Sequence, residues 1–396
     1  MTEPAHVRAA RKDDHVQLAT EQRADHQARN DFDDLEFVHH ALSGISADEV
    51  TLSTSVDSWH WQAPFYINGM TGGTEQTGVI TRALAIAARE TSVAVACGSV
   101  SIALDAPDDD VIQRSFRVLR DENPDGFIMA NLGVGRSADD AKRAVDLLEA
   151  NALQVHLNAV QETVMPEGSR DFSDWQHSVE ALVAASPVPV IAKEVGFGLS
   201  RRTLSVLSDI GVRVADVSGT GGTDFLRIED ARRNDTIGSF SMMSGFGQSA
   251  AACLLDAPAD APHLLASGGV RHPFDVVKAL ALGAEAVGVA GTFLEAVQAG
   301  GSETLVPLIG RWQLQLTQMM ALLGAAQPSE LRRTDVLVRG DLADFCRLRG
   351  IDLAGLARRS ESRAGTQAVG FTASSDAPTP AASMSPISLA SEEPHR

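Results

Sequence analysis

Leu153-Gln154-Val155-His156-Leu157-Asn158-Ala159-Val160-Gln161-Glu162 is the stretch from which the fold can be read. Val155 and Leu157 alternate with Gln154, His156 and Asn158, and a side-chain period of two places His156 and Asn158 on one face of a short strand. An amide and a carboxylate, Gln161 and Glu162, follow at once. Burying such a polar strand end is unfavourable unless something binds there or every group finds a hydrogen bond. A barrel interior can hold one satisfied histidine, so the stretch alone leaves both readings open and its neighbours must decide.

From residue 64 the chain repeats one unit of apolar strand, loop and amphipathic helix. The strands read as Phe65 to Asn68, Val93 to Cys97, Phe127 to Asn131, Leu153 to Asn158, Val188 to Glu194, Val214 to Ser218, His263 to Ser267 and Ala286 to Ala290. Between them, Ser137 can cap a helix with Asp139 and Asp140 in its first turn, and Pro273 can open another that stops at Gly283. Eight such units in about 230 residues fit an α/β fold, a (β/α)8 TIM barrel, better than a doubly wound open sheet. The expected organisation is an N-terminal segment over 1–63, a barrel over 64–300, C-terminal helices over 301–358 and a disordered tail over 359–396. Residues 31 to 62, with Phe37, Val38, Ala41 and Leu42, read as a lead-in layer packing on the barrel.

Active sites of such barrels lie at the C-terminal ends of the strands. Here those ends carry Met70-Thr71-Gly72-Gly73, Gly98-Ser99, Asn131-Leu132-Gly133, the opening stretch, Lys193-Glu194, Ser218 to Thr223, Ser267 to Arg271 and Ala290-Gly291. The glycines after strands seven and eight let backbone N–H groups approach a phosphate, and Arg271 can add a charge-assisted bond. Lys193 can stabilise electron density building up on a flavin ring.

The bulk properties set limits. The 396 residues are 44% hydrophobic and carry a net charge of −19. That charge argues against a nucleic-acid partner, since an extended phosphate backbone needs a basic face, yet a few focused cations can hold a small anion. The cluster Arg8, Arg11, Lys12 and His15 stands out against this acidic background and reads either as a solvated terminus or as such a focus. Three scattered cysteines make no disulfide scaffold or zinc site. No signal peptide or membrane span is apparent, so a cytoplasmic location and no membrane partner are expected. Self-association into a homo-oligomer is also expected.

Taken together, Arg11-Lys12-Asp13-Asp14-His15, Met70-Thr71-Gly72-Gly73, Asn131-Leu132-Gly133, His156-Leu157-Asn158 with Gln161-Glu162, Lys193-Glu194-Val195-Gly196, Gly219-Thr220-Gly221-Gly222-Thr223 and Ser267-Gly268-Gly269-Val270-Arg271 resemble type 2 isopentenyl-diphosphate isomerase. That family is an FMN-dependent barrel enzyme that also uses Mg2+ and NADPH. The resemblance implies that Thr71, Gly72, Gly73, Ser99, Asn131, Lys193, Ser218, Thr223, Gly269, Val270, Arg271, Ala290 and Gly291 surround FMN. It implies that Arg11, Lys12, Ser99, His156, Asn158 and Gln161 bind a small-molecule diphosphate, that Glu162 holds Mg2+, and that Gln161, with Glu229 as a neighbouring relay, serves catalysis. Val100 departs from the family, which has a glutamine there.

The activity so implied is a 1,3-proton shift between isopentenyl and dimethylallyl diphosphate, with reduced FMN as acid and base. Three rivals are weighed against it. A 2-hydroxyacid oxidase needs a histidine base beside an arginine, for which only His272 next to Arg271 offers itself. An inosine-monophosphate dehydrogenase relative needs a cysteine after strand six, and Gly219 to Met243 has none. The third is a flavin-binding barrel without catalysis.

Overall fold

Eight short parallel strands close into a barrel in the computed structural model, which describes residues 5–24, 30–233 and 237–361. They are β1 (Phe65–Ile67), β2 (Ala94–Ala96), β3 (Ile128–Gly133), β4 (Ala152–Leu157), β5 (Val190–Glu194), β6 (Val214–Asp216), β7 (His263–Ser267) and β8 (Ala286–Val289). Each pairs with its neighbours in chain order, and β8 pairs with β1, so no edge is left open. Six lie within the stretches that periodicity marks as strands, while β3 runs two residues past Asn131 and β4 begins one residue early, at Ala152, and ends before Asn158. The expected tail falls almost wholly on residues 362–396, outside the described residues.

Alternation along each strand sorts side chains between two environments. Phe65, Ile67, Val95, Ile128, Leu153, Val155 and Val287 point outward into a layer shared with the helices. Tyr66, Ala94, Ala96, Met129, Ala152, Ile191, Val214, Leu265 and Ala286 fill the barrel's lower interior, large beside small. One step further along the same inward rows the residues become Asn131, Gln154, His156, Lys193, Asp216 and Ser267. The interior is therefore apolar at one end and polar at the other. A hairpin of Thr54–Val56 and Trp59–Trp61 serves the apolar end, where Trp61 packs on Tyr66 at 5.6 Å and Phe127 at 5.2 Å.

The lead-in segment packs through Phe32 and Leu35 rather than chiefly through the expected patch, of which Phe37 and Val38 are half-buried and Ala41 is exposed, and Leu35–Phe37 pairs with Val336–Val338. Leu42 is 99% exposed and likewise takes no part in that layer.

The helix Ala5–Ala24 runs along the rim at the polar end. Its Asp13 accepts from Thr74 after β1, Arg11 pairs with Glu167 after β4, Gln22 exchanges hydrogen bonds with Asp224 after β6, and Arg23 binds Thr292 after β8. Four anchors spaced around the rim fix this helix over the mouth. The last barrel helix, Gly291–Leu322, is broken at Gly300 and Gly301. Among the described residues no helix is long and apolar enough to cross a membrane.

Candidate active site

The polar end opens into a cavity of about 1040 Å3 walled by the strand ends and by Arg11, Lys12 and His15 of the rim helix. Of the expected site residues, Arg11, Lys12, Ser99, Asn131, His156, Asn158, Gln161, Glu162, Lys193, Ser218, Thr223, Gly269, Val270, Arg271, Ala290 and Gly291 all line it. Arg11, Lys12 and His15 thus face the cavity rather than lying as a solvated terminus.

Thr71, Gly72 and Gly73 differ, because the wall at β1 is formed by Asn68, Gly69 and Met70. Gly72 is packed on Phe116 and Gly73 on Ile102, with Gly73 N–H donating to Ser115 at 2.9 Å. Thr71 is buried, and its Oγ1 has no hydrogen-bond partner among the described residues.

Arg271 also differs from expectation. Its guanidinium is held by Asp33 (2.6 and 3.0 Å) and Asp275 (3.1 Å), which raise its pKa further. This side chain clips the lead-in segment to the barrel, so its free charge is spent before any phosphate arrives. Backbone takes over at this corner. Gly268, at φ 93°, lies so close to Gly219 that a Cβ would collide with the Gly219 carbonyl. Close beside it, the helix opening at Gly291 has no side-chain cap, which leaves its first N–H groups to an anion. The uncapped terminus fits the phosphate of a cofactor such as FMN.

Beneath the cavity lies a buried network that sequence reading missed. Asp216, 0% exposed, accepts from Tyr66 Oη at 2.6 Å, from Ser267 Oγ at 2.8 Å and from Ser218 N–H at 3.1 Å. Lys193 Nζ lies 3.4 Å from Asp216 and donates to Ser218 Oγ at 3.0 Å and to the Glu194 carbonyl at 2.9 Å. Burial and the adjacent carboxylate push the Tyr66 phenol well above its usual range. The available signal was parity: Asp216 shares the inward row of Val214 and Ser218, and Tyr66 is the only tyrosine. Next to it, Glu194 accepts from the backbone N–H groups of Val195, Gly196 and Phe197. Burial lifts its carboxyl to about 7 against those donors, and its role is to shape the loop.

On the β4 side, Asn158 donates to Gln161 Oε1 at 3.2 Å and to Glu162 Oε1 at 3.1 Å, while Gln161 Nε2 donates to Glu229 Oε1 at 2.8 Å. Glu229 is fully buried and pairs with Arg232. His15 Nε2 stands 3.0 Å from the same carboxylate, and burial lowers the imidazole pKa against that neighbour. Burial alone would raise the Glu229 pKa, but His15, Gln161 and Arg232 outweigh it and hold the group at about 2. A carboxylate held that low is a poor proton relay. It accepts from Gln161 Nε2 and so fixes the direction of that amide. Val100 is buried under this rim, its N–H donating to the Asn131 carbonyl at 2.9 Å.

A closed parallel barrel with a phosphate corner at β7 and β8 and a buried lysine beside it defines the class of FMN-dependent barrel proteins. The family model described as FMN-dependent dehydrogenase matches residues 138–338. A flavocytochrome b2 mutant with pyruvate bound shares the fold at a TM-score of 0.59 and 20% identity, covering 89% of this chain and 85% of that one. A mandelate oxidase variant does so at 0.55 and 18%, covering 83% and 91%. Curated relatives called isopentenyl-diphosphate delta-isomerase are far more similar in sequence. The protein from Streptomyces sp. (strain CL190) is 53% identical, covering 92% of this chain and 99% of its own. That from Kitasatospora griseola is 55% identical, covering 89% and 96%. The chain belongs to the isopentenyl-diphosphate delta-isomerase family.

Proposed function

We propose that this protein interconverts isopentenyl and dimethylallyl diphosphate by a 1,3-allylic proton shift. The observation that carries the reading is the meeting of Arg11, Lys12, His156, Asn158, Gln161 and Glu162 on one cavity wall. Reduced FMN, when bound, supplies the acid and the base for the shift, and NADPH serves to reduce it. The chain's own residues do the rest. Arg11 and Lys12 attract the diphosphate into an otherwise acidic protein, and Gln161, its amide held by Glu229 and Asn158, positions the isoprene carbons. Lys193 and Ser218 face the flavin.

The donor set also bears on Mg2+. Among the described residues no three His, Cys, Asp or Glu side chains converge as a metal site. A hard cation at Glu162 therefore draws its other oxygens from diphosphate and water, which is how Mg2+ commonly binds. Glu162→Gln should leave FMN absorbance intact and cut Mg2+-dependent turnover by roughly 10–100-fold, the loss typical of disturbing a metal's ligand shell. Turnover unchanged at limiting Mg2+ would remove Glu162 from this role.

The test of the function is incubation of the yellow holoenzyme with isopentenyl diphosphate, Mg2+ and NADPH. Dimethylallyl diphosphate should accumulate far in excess of the NADPH consumed. Oxidation matched to turnover would point to a reductase. The 2-hydroxyacid oxidase alternative is disfavoured by the same corner of the barrel: His272 Nδ1 accepts from Asp275 N–H as a helix cap, and Arg271 is held by two carboxylates.

A further inference from the structure

Four buried or half-buried groups on β3 and β4 form one directed chain behind the diphosphate wall. Gln154, 0% exposed, turns its Nε2 towards Met129 Sδ at 3.6 Å and accepts from Asn131 Nδ2 at 3.0 Å through Oε1. Asn131 Oδ1 is then left facing His156 Nδ1 at 2.8 Å. A thioether can only accept, so the sulfur sets the direction in which Gln154 points. The Gln154 oxygen in turn sets Asn131, and an amide oxygen facing an imidazole nitrogen requires a proton on that nitrogen.

We infer that Gln154 is a positioning residue that holds His156 as its Nδ1–H tautomer, so that docking of a diphosphate draws a proton from solvent onto Nε2. The inference rests on the proposed function. In the neutral ring Nε2 carries a lone pair, which repels phosphate oxygens; protonated, it donates to them, while Nδ1–H keeps its bond to Asn131. Reversing both amides would offer a neutral Nε2–H instead, but would set the Gln154 oxygen against the Met129 sulfur with no donor. The charged groups acting on the ring are Lys12 from the rim helix and Lys193 from β5, and both oppose protonation, as does burial; the Leu132 carbonyl favours it. An incoming diphosphate reverses the balance, because a nearby anion favours the charged imidazole.

Calorimetric titration of the oxidised holoenzyme with isopentenyl diphosphate and Mg2+ at about pH 8.5, where the ligand is fully ionised, tests this in buffers of different ionisation enthalpy. The wild type should take up close to one proton per molecule bound, and its affinity should fall about tenfold per pH unit as pH rises towards the pKa of the complex, levelling off above it. In His156→Gln the uptake should vanish. In Gln154→Leu, with Asn131 freed to turn, it should fall to less than half while FMN stays bound. Imidazole 15N spectra of the wild type supply a second measurement that needs no variant, and should show a neutral His156 protonated at Nδ1. An Nε2–H tautomer, absent uptake, or uptake that survives in either variant would overturn the inference. Turnover without uptake would leave the isomerase reading standing, whereas failure to bind or convert the substrate would refute both.

Discussion

Asp216→Ala should destabilise the protein by about 3–5 kcal/mol, the usual loss when one partner of a buried ion pair is removed. The carboxylate is the acceptor on which Tyr66, Ser267, the Ser218 backbone and Lys193 converge. Without it Lys193, 6% exposed, is left as a buried charge, and a buried phenol and a hydroxyl lose their acceptor. Chemical unfolding followed by circular dichroism gives the stability, and flavin fluorescence gives the affinity for FMN, which should weaken because Lys193 and Ser218 lose their anchor. Lys193→Met combined with Asp216→Leu should recover only the part of the loss that comes from the unpaired lysine charge, because Tyr66 Oη, Ser267 Oγ and Ser218 N–H remain without their acceptor. FMN affinity should not return with it. A loss below about 1 kcal/mol for Asp216→Ala, within the range of an ordinary single hydrogen bond, would show that the network holds nothing together.

Such a network explains what the sequence could and could not disclose. The eight strands were legible because each is a short apolar run ending in glycine and polar residues, a local signal repeated eight times. The inward position of His156 and Asn158 followed from the period of two. The Asp33–Arg271 clip joins residues 238 apart, and nothing local tells an arginine bound for phosphate from one already committed to carboxylates. The depth of Gly72 and Gly73 is likewise set by Phe116 and Ile102 on other units. Gln154 is a further case: its row could be read, but its amide direction depends on Met129 in the neighbouring strand. Periodicity assigns faces; partners across the barrel assign roles.

Gln161→Ala should lower turnover by about 10²–10⁴-fold, the range for a group that positions or moves a proton at the reacting centre, with FMN still bound. The amide is held from both sides, by Glu229 at Nε2 and Asn158 at Oε1, so the geometry delivered to the isoprene carbons is fixed before substrate arrives. Glu229→Gln separates orientation from proton transfer. With the native carboxylate, which only accepts, the Gln161 NH2 must point one way; facing a second amide it can point either way, and turnover should fall by less than in Gln161→Ala. The pH profile carries the sign. A carboxyl whose folded pKa is depressed to about 2 is ionised throughout the working range, and its contribution is lost only as pH falls from its unfolded value, near 4.3, towards 2. No limb of kcat between about pH 5 and 9 should then belong to Glu229, and Glu229→Gln should scale the profile without changing its shape. A limb near pH 6 that disappears in Glu229→Gln would make this carboxylate a proton carrier in the reaction. Retention of near-native turnover by Gln161→Ala would move the positioning of the isoprene carbons to another part of the wall.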